Sequence, residues 1–258
     1  MTSYFARVGA GRFLAGELTG GAWATDEQHI APMTGLIAHE AERHAARRGP
    51  DDMVITRISM DILGVLKLAE FDVDVTVVRP GRTIELLEAV VTARGRAAVR
   101  ARIWRMAGQD TTAVAGGHDE ALPHPDGLAP YPLSDVWPGG FISSVDVRPV
   151  GEPRPGRARV WITSATPLVA GEQASPLADY VKLIDTANGI AVRESPKQWM
   201  FPNLDLTIHL HRQPAGRWVG LDTAVTFGAT GVGLTSTVLH DESGPVGRAE
   251  QILTVRPI

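Results

Sequence analysis

The chain has 258 residues, 44% of them apolar and 21% charged, with a formal net charge of −4 and no cysteine. At ~150 residues per domain this is one large or two small domains. The mild negative charge argues against a broad basic surface for nucleic acid. The missing cysteine excludes disulfides, thiolate metal centres and a cysteine nucleophile. No apolar run approaches the ~20 residues of a membrane span. The N-terminus lacks the basic run and apolar core of a signal peptide, so a cytoplasmic, cofactor-free protein is the starting expectation.

In chain order, Thr25 or Asp26 ahead of Glu27-Gln28 is a candidate helix N-cap. Met33, Leu36 and Ile37 then recur at helical spacing. Three strand-like stretches follow: Phe71–Val78, Thr83–Thr92 and Ala97–Met106. Gly108 to Gly140 is rich in glycine and proline and predicts a linker running over the surface. Beyond it, Ser175 before Pro176 predicts a second helix, striped by Leu177, Val181, Ile184 and Ala191. Three more strands are predicted at Arg217–Phe227, Gly233–His240 and Val246–Val255. Shifting the chain by 147 residues lays Phe71 on Trp218, Leu87 on Leu234 and Val99 on Val246. The pattern is thus repeated, once in residues 1–107 and once in 144–258, joined by 108–143. One helix followed by a run of strands, twice, is an α+β arrangement.

Three places depart from a plain core pattern. Gln251 shares a strand face with Ala249, Leu253 and Val255, and a buried amide needs a polar neighbour. It either satisfies a backbone group near an edge or belongs to a site. Asn203 to His211 alternates cleanly, with Asp205, Thr207, His209 and His211 on one face. Two histidines at i, i+2 lack an obvious third ligand, so no metal is expected. Asp185 and Asn188 share a helix face, and both are poor helix-interior residues. Gly189 adds ~1 kcal/mol of cost. The helix starts or kinks there, or Asp185, Asn188 and Gly189 position a substrate close to the backbone. No nucleophile elbow, Walker A loop or dinucleotide fingerprint is present.

Gly21-Ala22-Trp23, Glu27-Gln28-His29 and Gly35 resemble the start of the first helix in actinobacterial thioesterase-like proteins. Asp185–Gly189, Phe201–Arg212 and Gly231–Ser236 resemble the second repeat of the same group. The likeness extends more distantly to acyl-CoA thioesterase II. It implies a double hotdog, in which a long helix is wrapped by a curved antiparallel sheet twice in one chain. It also implies hydrolysis of an acyl-CoA or acyl-carrier thioester by a water held by an Asp, a Thr or Ser, and a Gln. Matched residue by residue, the implied catalytic set is Asp205, Thr226 (or Thr230) and Gln251. Asp185, Asn188 and Gly189, singled out above by their place on the helix, are the candidate substrate-binding residues, with backbone N–H groups near Asn188-Gly189 suiting an oxyanion. No metal or cofactor is implied, and a homodimer is. In the repeat register Asp205 falls on Ile58, Thr226 on Arg79 and Gln251 on Trp104, so one site per chain is expected. The alternatives are a non-catalytic acyl-thioester-binding hotdog protein and an enoyl-thioester hydratase. The hydratase would need His29 of the first repeat to reach Asp185 in space.

Overall fold

The computed structural model describes residues 2–258. The first repeat runs β1 (Phe5–Gly9), β2 (Arg12–Ala15), α1 (Ile30–Arg47), β3 (Met53–Ile62), β4 (Glu70–Arg79), β5 (Ile84–Ala93) and β6 (Arg96–Ala107). Next come α2 (Gly140–Ser143), β7 (Asp146–Pro149) and β8 (Arg157–Thr163). The second helix is broken into α3 (Pro176–Val181) and α4 (Ala187–Ile190), with a 3-10 turn at Ile184–Thr186 between them. The strands β9 (Trp199–Met200), β10 (Asp205–Leu210), β11 (Val219–Phe227), β12 (Val232–Asp241), β13 (Gly244–Thr254) and β14 (Arg256–Pro257) complete the chain. All six long strands expected from the sequence form within a few residues of the expected bounds.

Twelve strands make one sheet, in the order β1-β2-β4-β5-β6-β3-β10-β13-β12-β11-β8-β7. The order is palindromic about the antiparallel seam between β3 and β10, where Ile58 lies opposite Ile208. Each half of the sheet carries its own helix, and α1 packs against α3. This is a double hotdog. The two helices approach closely at Gly35, where an added Cβ would lie 2.6 Å from Lys182 Cβ and 2.9 Å from the Ala178 carbonyl oxygen. Ser175 caps α3 as expected, its hydroxyl accepting from Ala178 N at 3.0 Å. The cap of α1 is different: His29 Nδ1 accepts from Ala31 N at 3.1 Å. Thr25 and Asp26 lie too far upstream, in a segment tied down by bridges from Gly20 to Gln28 and from Glu27 to Lys67.

The segment between the repeats does more than run over the surface. Its first half is exposed, but Leu133, Trp137, Phe141 and Ile142 are buried in the main core. The apolar residues in this proline- and glycine-rich stretch override its linker-like composition.

The palindrome pairs positions that do different work. In the second repeat Thr235 on β12 faces Gln251 on β13. Counted from the hairpin turn, the corresponding pair in the first repeat is Leu87 on β5 and Ile103 on β6, both buried, so the structural counterpart of Gln251 is Ile103, one residue from the expected Trp104. Two residues further along the same face, Glu85 on β5 faces Arg105 on β6. Arg105 donates to Glu85 at 2.8 Å and to Asp51 at 2.6 Å, and Arg48 holds both oxygens of Glu85 at 2.7 and 2.6 Å. Arg105 and Glu85 are both buried. Removing one partner of a buried pair costs about 3–5 kcal/mol when it leaves the other charge uncompensated; Arg48 still holds Glu85 here, so the lower end, about 3 kcal/mol, applies. We therefore expect Arg105→Leu to lower unfolding stability by that amount in urea titration at pH 7. A loss below about 1 kcal/mol would mean that water, not Arg105, solvates Glu85.

Candidate active site

A cavity of about 310 Å³ lies between the start of α1 and the broken second helix. Both repeats line it: Trp23 and His29 from the first, Asp185, Asn188 and Asn203 from the second.

Asp185 is the polar centre of this region and is only 3% exposed. Its Oδ1 accepts from Asn203 Nδ2 at 2.7 Å and from Gln251 Nε2 at 2.9 Å. Its Oδ2 lies 3.5 Å from His29 Nδ1. Burial pushes the Asp185 carboxyl up to about 7; the two amide donors oppose that rise and the charge of Asp205 adds to it. Burial also depresses His29 to about 4, so its ring is neutral at pH 7. The Nδ1 lone pair is committed to Ala31 N. Neutral His29 therefore carries its proton on Nε2, and Nδ1 offers no hydrogen to Asp185. Gln251 Oε1 and Thr235 Oγ1, neighbours across the β12–β13 ladder, are buried without a hydrogen-bond partner among the described residues.

Asn203 reaches the site because the ladder slips. From Thr207 to Leu210 strand β10 pairs with Glu250 to Gly247. That register would set residue 204 against Leu253, yet Asn203 takes that place. The extra residue is a bulge, which re-aims side chains. Leu204 turns outward to 48% exposure, and Asn203 turns in. Asp205 Oδ1 stabilises the bulge by accepting from Ile252 N at 2.6 Å, and Asn203 Nδ2 also donates to Asp205 O at 2.9 Å.

The sequence-derived candidates divide accordingly. Asp185, Asn188 and Gly189 lie at the cavity, and Gln251 touches Asp185. The Asp205 carboxylate is occupied by the Ile252 amide instead of meeting Gln251. Thr226 pairs with outward-facing Leu234 and is exposed, as is Thr230. The hydroxyl beside Gln251 is Thr235. Trp137 packs close to Gly189: the indole Nε1 donates to Gly189 O at 2.8 Å, and a Cβ at Gly189 would lie 3.4 Å from that nitrogen. Asn203 was missed because strict alternation places it with Asp205 on the outer face. A visible signal was Asn203-Leu204-Asp205, two side chains that compete for backbone partners at a strand's start.

A second acidic cluster, His39, Glu40 and Glu172, has donors close enough for a cation. Arg7 and Arg43 already occupy it. Arg7 binds Glu40 at 2.6 Å, and Arg43 reaches Glu172 at 3.2 Å. The Arg7 guanidinium, hydrogen-bonded to Glu172, holds that carboxyl down at about 2. The cluster suits an ion-pair clamp between the repeats better than a metal.

Comparison with known families matches residues 19–106 to the acyl-CoA thioesterase N-terminal domain and residues 125–255 to the acyl-CoA thioesterase C-terminal domain. The chain belongs to the acyl-CoA thioesterase family. No curated protein matches it. Among solved structures, a hot dog fold protein of unknown function from Alicyclobacillus acidocaldarius superposes with TM-score 0.76 at 13% identity, covering 99% of this chain and 96% of that one. The acyl-CoA thioesterase II TesB2 from Mycobacterium marinum gives TM-score 0.66 at 16% identity, with 98% and 96% covered. The dehydratase domain from the CurF module of curacin polyketide synthase gives 0.51 at 14%, with 99% and 98% covered. At these identities the likenesses establish the fold.

The raised carboxyl has a consequence for stability. Asp185 titrates near 4 when unfolded and near 7 when folded. Its folded pKa is raised, so stability is full below about pH 4 and is lost as pH rises through about 7. Asp185→Asn keeps an acceptor for both amides and carries no charge. We expect the variant to match the parent below pH 4 and to exceed it by about 2–4 kcal/mol at pH 8, a range set by 1.36 kcal/mol per pKa unit. Equal stability at pH 8 would mean that the carboxylate is well solvated in the fold.

Proposed function

We propose that the protein is a thioester hydrolase acting on acyl-CoA, with Asp185 as general base. The observation that carries this reading is Asp185 and Asn203 on the wall of the cavity, with Gln251 behind them donating to the same Asp185 oxygen as Asn203. Two amides fix Oδ1, which leaves Oδ2 to take a proton from a water. Gln251 Oε1 and Thr235 Oγ1 supply acceptors that orient the same water. Fixed orientation lowers the entropic part of the barrier, and a positioned base contributes typically ~10²–10⁴-fold. A pKa of about 7 suits a base at neutral pH, because it is largely free of its proton and still accepts one well. Hydroxide equivalent from the water adds to the thioester carbonyl, the proton passes to Asp185, and collapse expels the thiolate. The proton then returns to that leaving sulfur. Asn188 and the Nε2–H of His29 are the donors at hand for the developing oxyanion. Asp205 acts at one remove, by holding the bulge that presents Asn203.

A second reading rests on the 3.5 Å approach of His29 to Asp185 across the two repeats. An Asp and a His at one site suit the addition of water to an enoyl thioester. The depressed basicity of His29 and its capping role weaken it as a proton carrier.

Thiol release from acyl-CoA, followed against pH, tests both readings. The hydrolase reading expects kcat/KM to rise with pH and level off above about 7, as Asp185 loses its proton. It expects Asp185→Asn to cost at least ~10²-fold. Loss of an enoyl-CoA chromophore without thiol release would favour the hydratase. Full activity in Asp185→Asn would refute Asp185 as the base.

A further inference from the structure

The cavity has a wet end and a dry end. Leu63, Val65 and Leu204 are 56%, 63% and 48% exposed, whereas Leu133, Trp137 and Ile142 are 5%, 3% and 3% exposed. A thioester whose large polar carrier stays in water must enter at the first end. The tip of its acyl group then meets the second. All three residues of the dry end lie ahead of β7, at the start of the stretch 125–255 matched to the C-terminal domain.

The space is small. At about 310 Å³ it is roughly twice the ~150 Å³ cavity that takes one benzene molecule. The thioester and the adjoining arm occupy part of it, which leaves room for about one ring. The walls suit a flat group. Trp23 and Trp137 line the space and meet edge to face at 4.9 Å, and buried Phe201 backs them, edge to face with Trp23 at 5.1 Å and with Trp137 at 5.9 Å.

Trp137 is also held in place from both sides. Its Nε1 donates to Gly189 O at 2.8 Å. Two residues on, Gly139 has φ +118, and a Cβ there would lie 2.6 and 2.7 Å from the carbonyl oxygens of Gly20 and Gly21. Phe141 N donates to Gly20 O at 3.0 Å. The backbone on either side of Trp137 is fixed by these contacts, and the indole cannot swing aside for a longer chain without losing its bond to Gly189 O.

We infer that Trp137 ends the acyl pocket and limits the substrate to a compact acyl group about the size of one aromatic ring. The inference rests on the hydrolase reading and adds the class of acyl group. A pocket of this kind discriminates one methylene by about 10–200-fold, so shortening the floor changes selectivity more than rate.

The experiment uses the full chain with butyryl-, phenylacetyl-, octanoyl- and palmitoyl-CoA. The parent is expected to prefer butyryl or phenylacetyl and to act poorly on palmitoyl. In Trp137→Ala the octanoyl-to-phenylacetyl ratio of kcat/KM should rise at least ~ten-fold. Trp137→Phe, which keeps a ring and loses the N–H, should move that ratio far less and so isolates the bond to Gly189. Ile142→Ala opens the same floor with a smaller change, and carries the test if Trp137→Ala does not fold. A parent that prefers palmitoyl, or variants in which every substrate falls by one common factor, would overturn the inference. If the parent releases no thiol at all, the hydrolase reading fails. Calorimetric Kd values for the same four thioesters then decide: tight binding of the compact ones, relaxed in the floor variants, supports the pocket, and equal Kd values overturn it.

Discussion

One carboxylate organises this molecule. Asp185 is buried, and an isolated buried charge is too costly for a fold to carry unless it is neutralised or hydrogen-bonded. Here the answer is intermediate. Two side-chain amides hold one oxygen, no cation lies beside it among the described residues, and the proton affinity settles near 7. A lysine or arginine partner would have stabilised the charge and removed the basicity. Amides stabilise it enough to keep the group in the fold and leave it able to accept a proton.

Around that constraint the two repeats have diverged. The sheet positions that carry Thr235 and Gln251 in the second repeat carry apolar Leu87 and Ile103 in the first, where the buried polar pair on that face is Glu85 and Arg105, two residues further along. The first-repeat pair is closed on itself, with Arg48 and Asp51 completing an ion network. One end of the palindrome is thereby locked by charge pairing, and the other keeps unpaired polar atoms next to a cavity. The first repeat still contributes. His29 caps α1 and faces Asp185, and Trp23 helps wall the pocket.

Much of the fold was legible in the sequence, because it depends on periodicity. The long strands, the stripe of α1, the Ser175-Pro176 start and the repeated order are all local patterns. Gln251 stood out for the same reason, as an amide on an apolar face. The rest depends on relations that no local pattern carries. The bulge at Leu204 inverts the alternation that otherwise describes Asp205 to Leu210, so Asn203 reads as outward and points inward. Thr226 reads as a candidate hydroxyl, but cross-strand register puts it on the outer face and sets Thr235 beside Gln251. Trp137 sits in a stretch whose glycines and prolines read as a connector. Its burial follows from the space between the two helices, which a one-dimensional reading does not contain.

The proton affinity of Asp185 is the most direct test. With ¹³C-labelled aspartate carboxyl groups, the protein should show one resonance titrating near pH 7, absent from Asp185→Asn. If no aspartate titrates above about pH 5, the buried carboxylate is not held as a neutral-pH base, and the account of the site is contradicted.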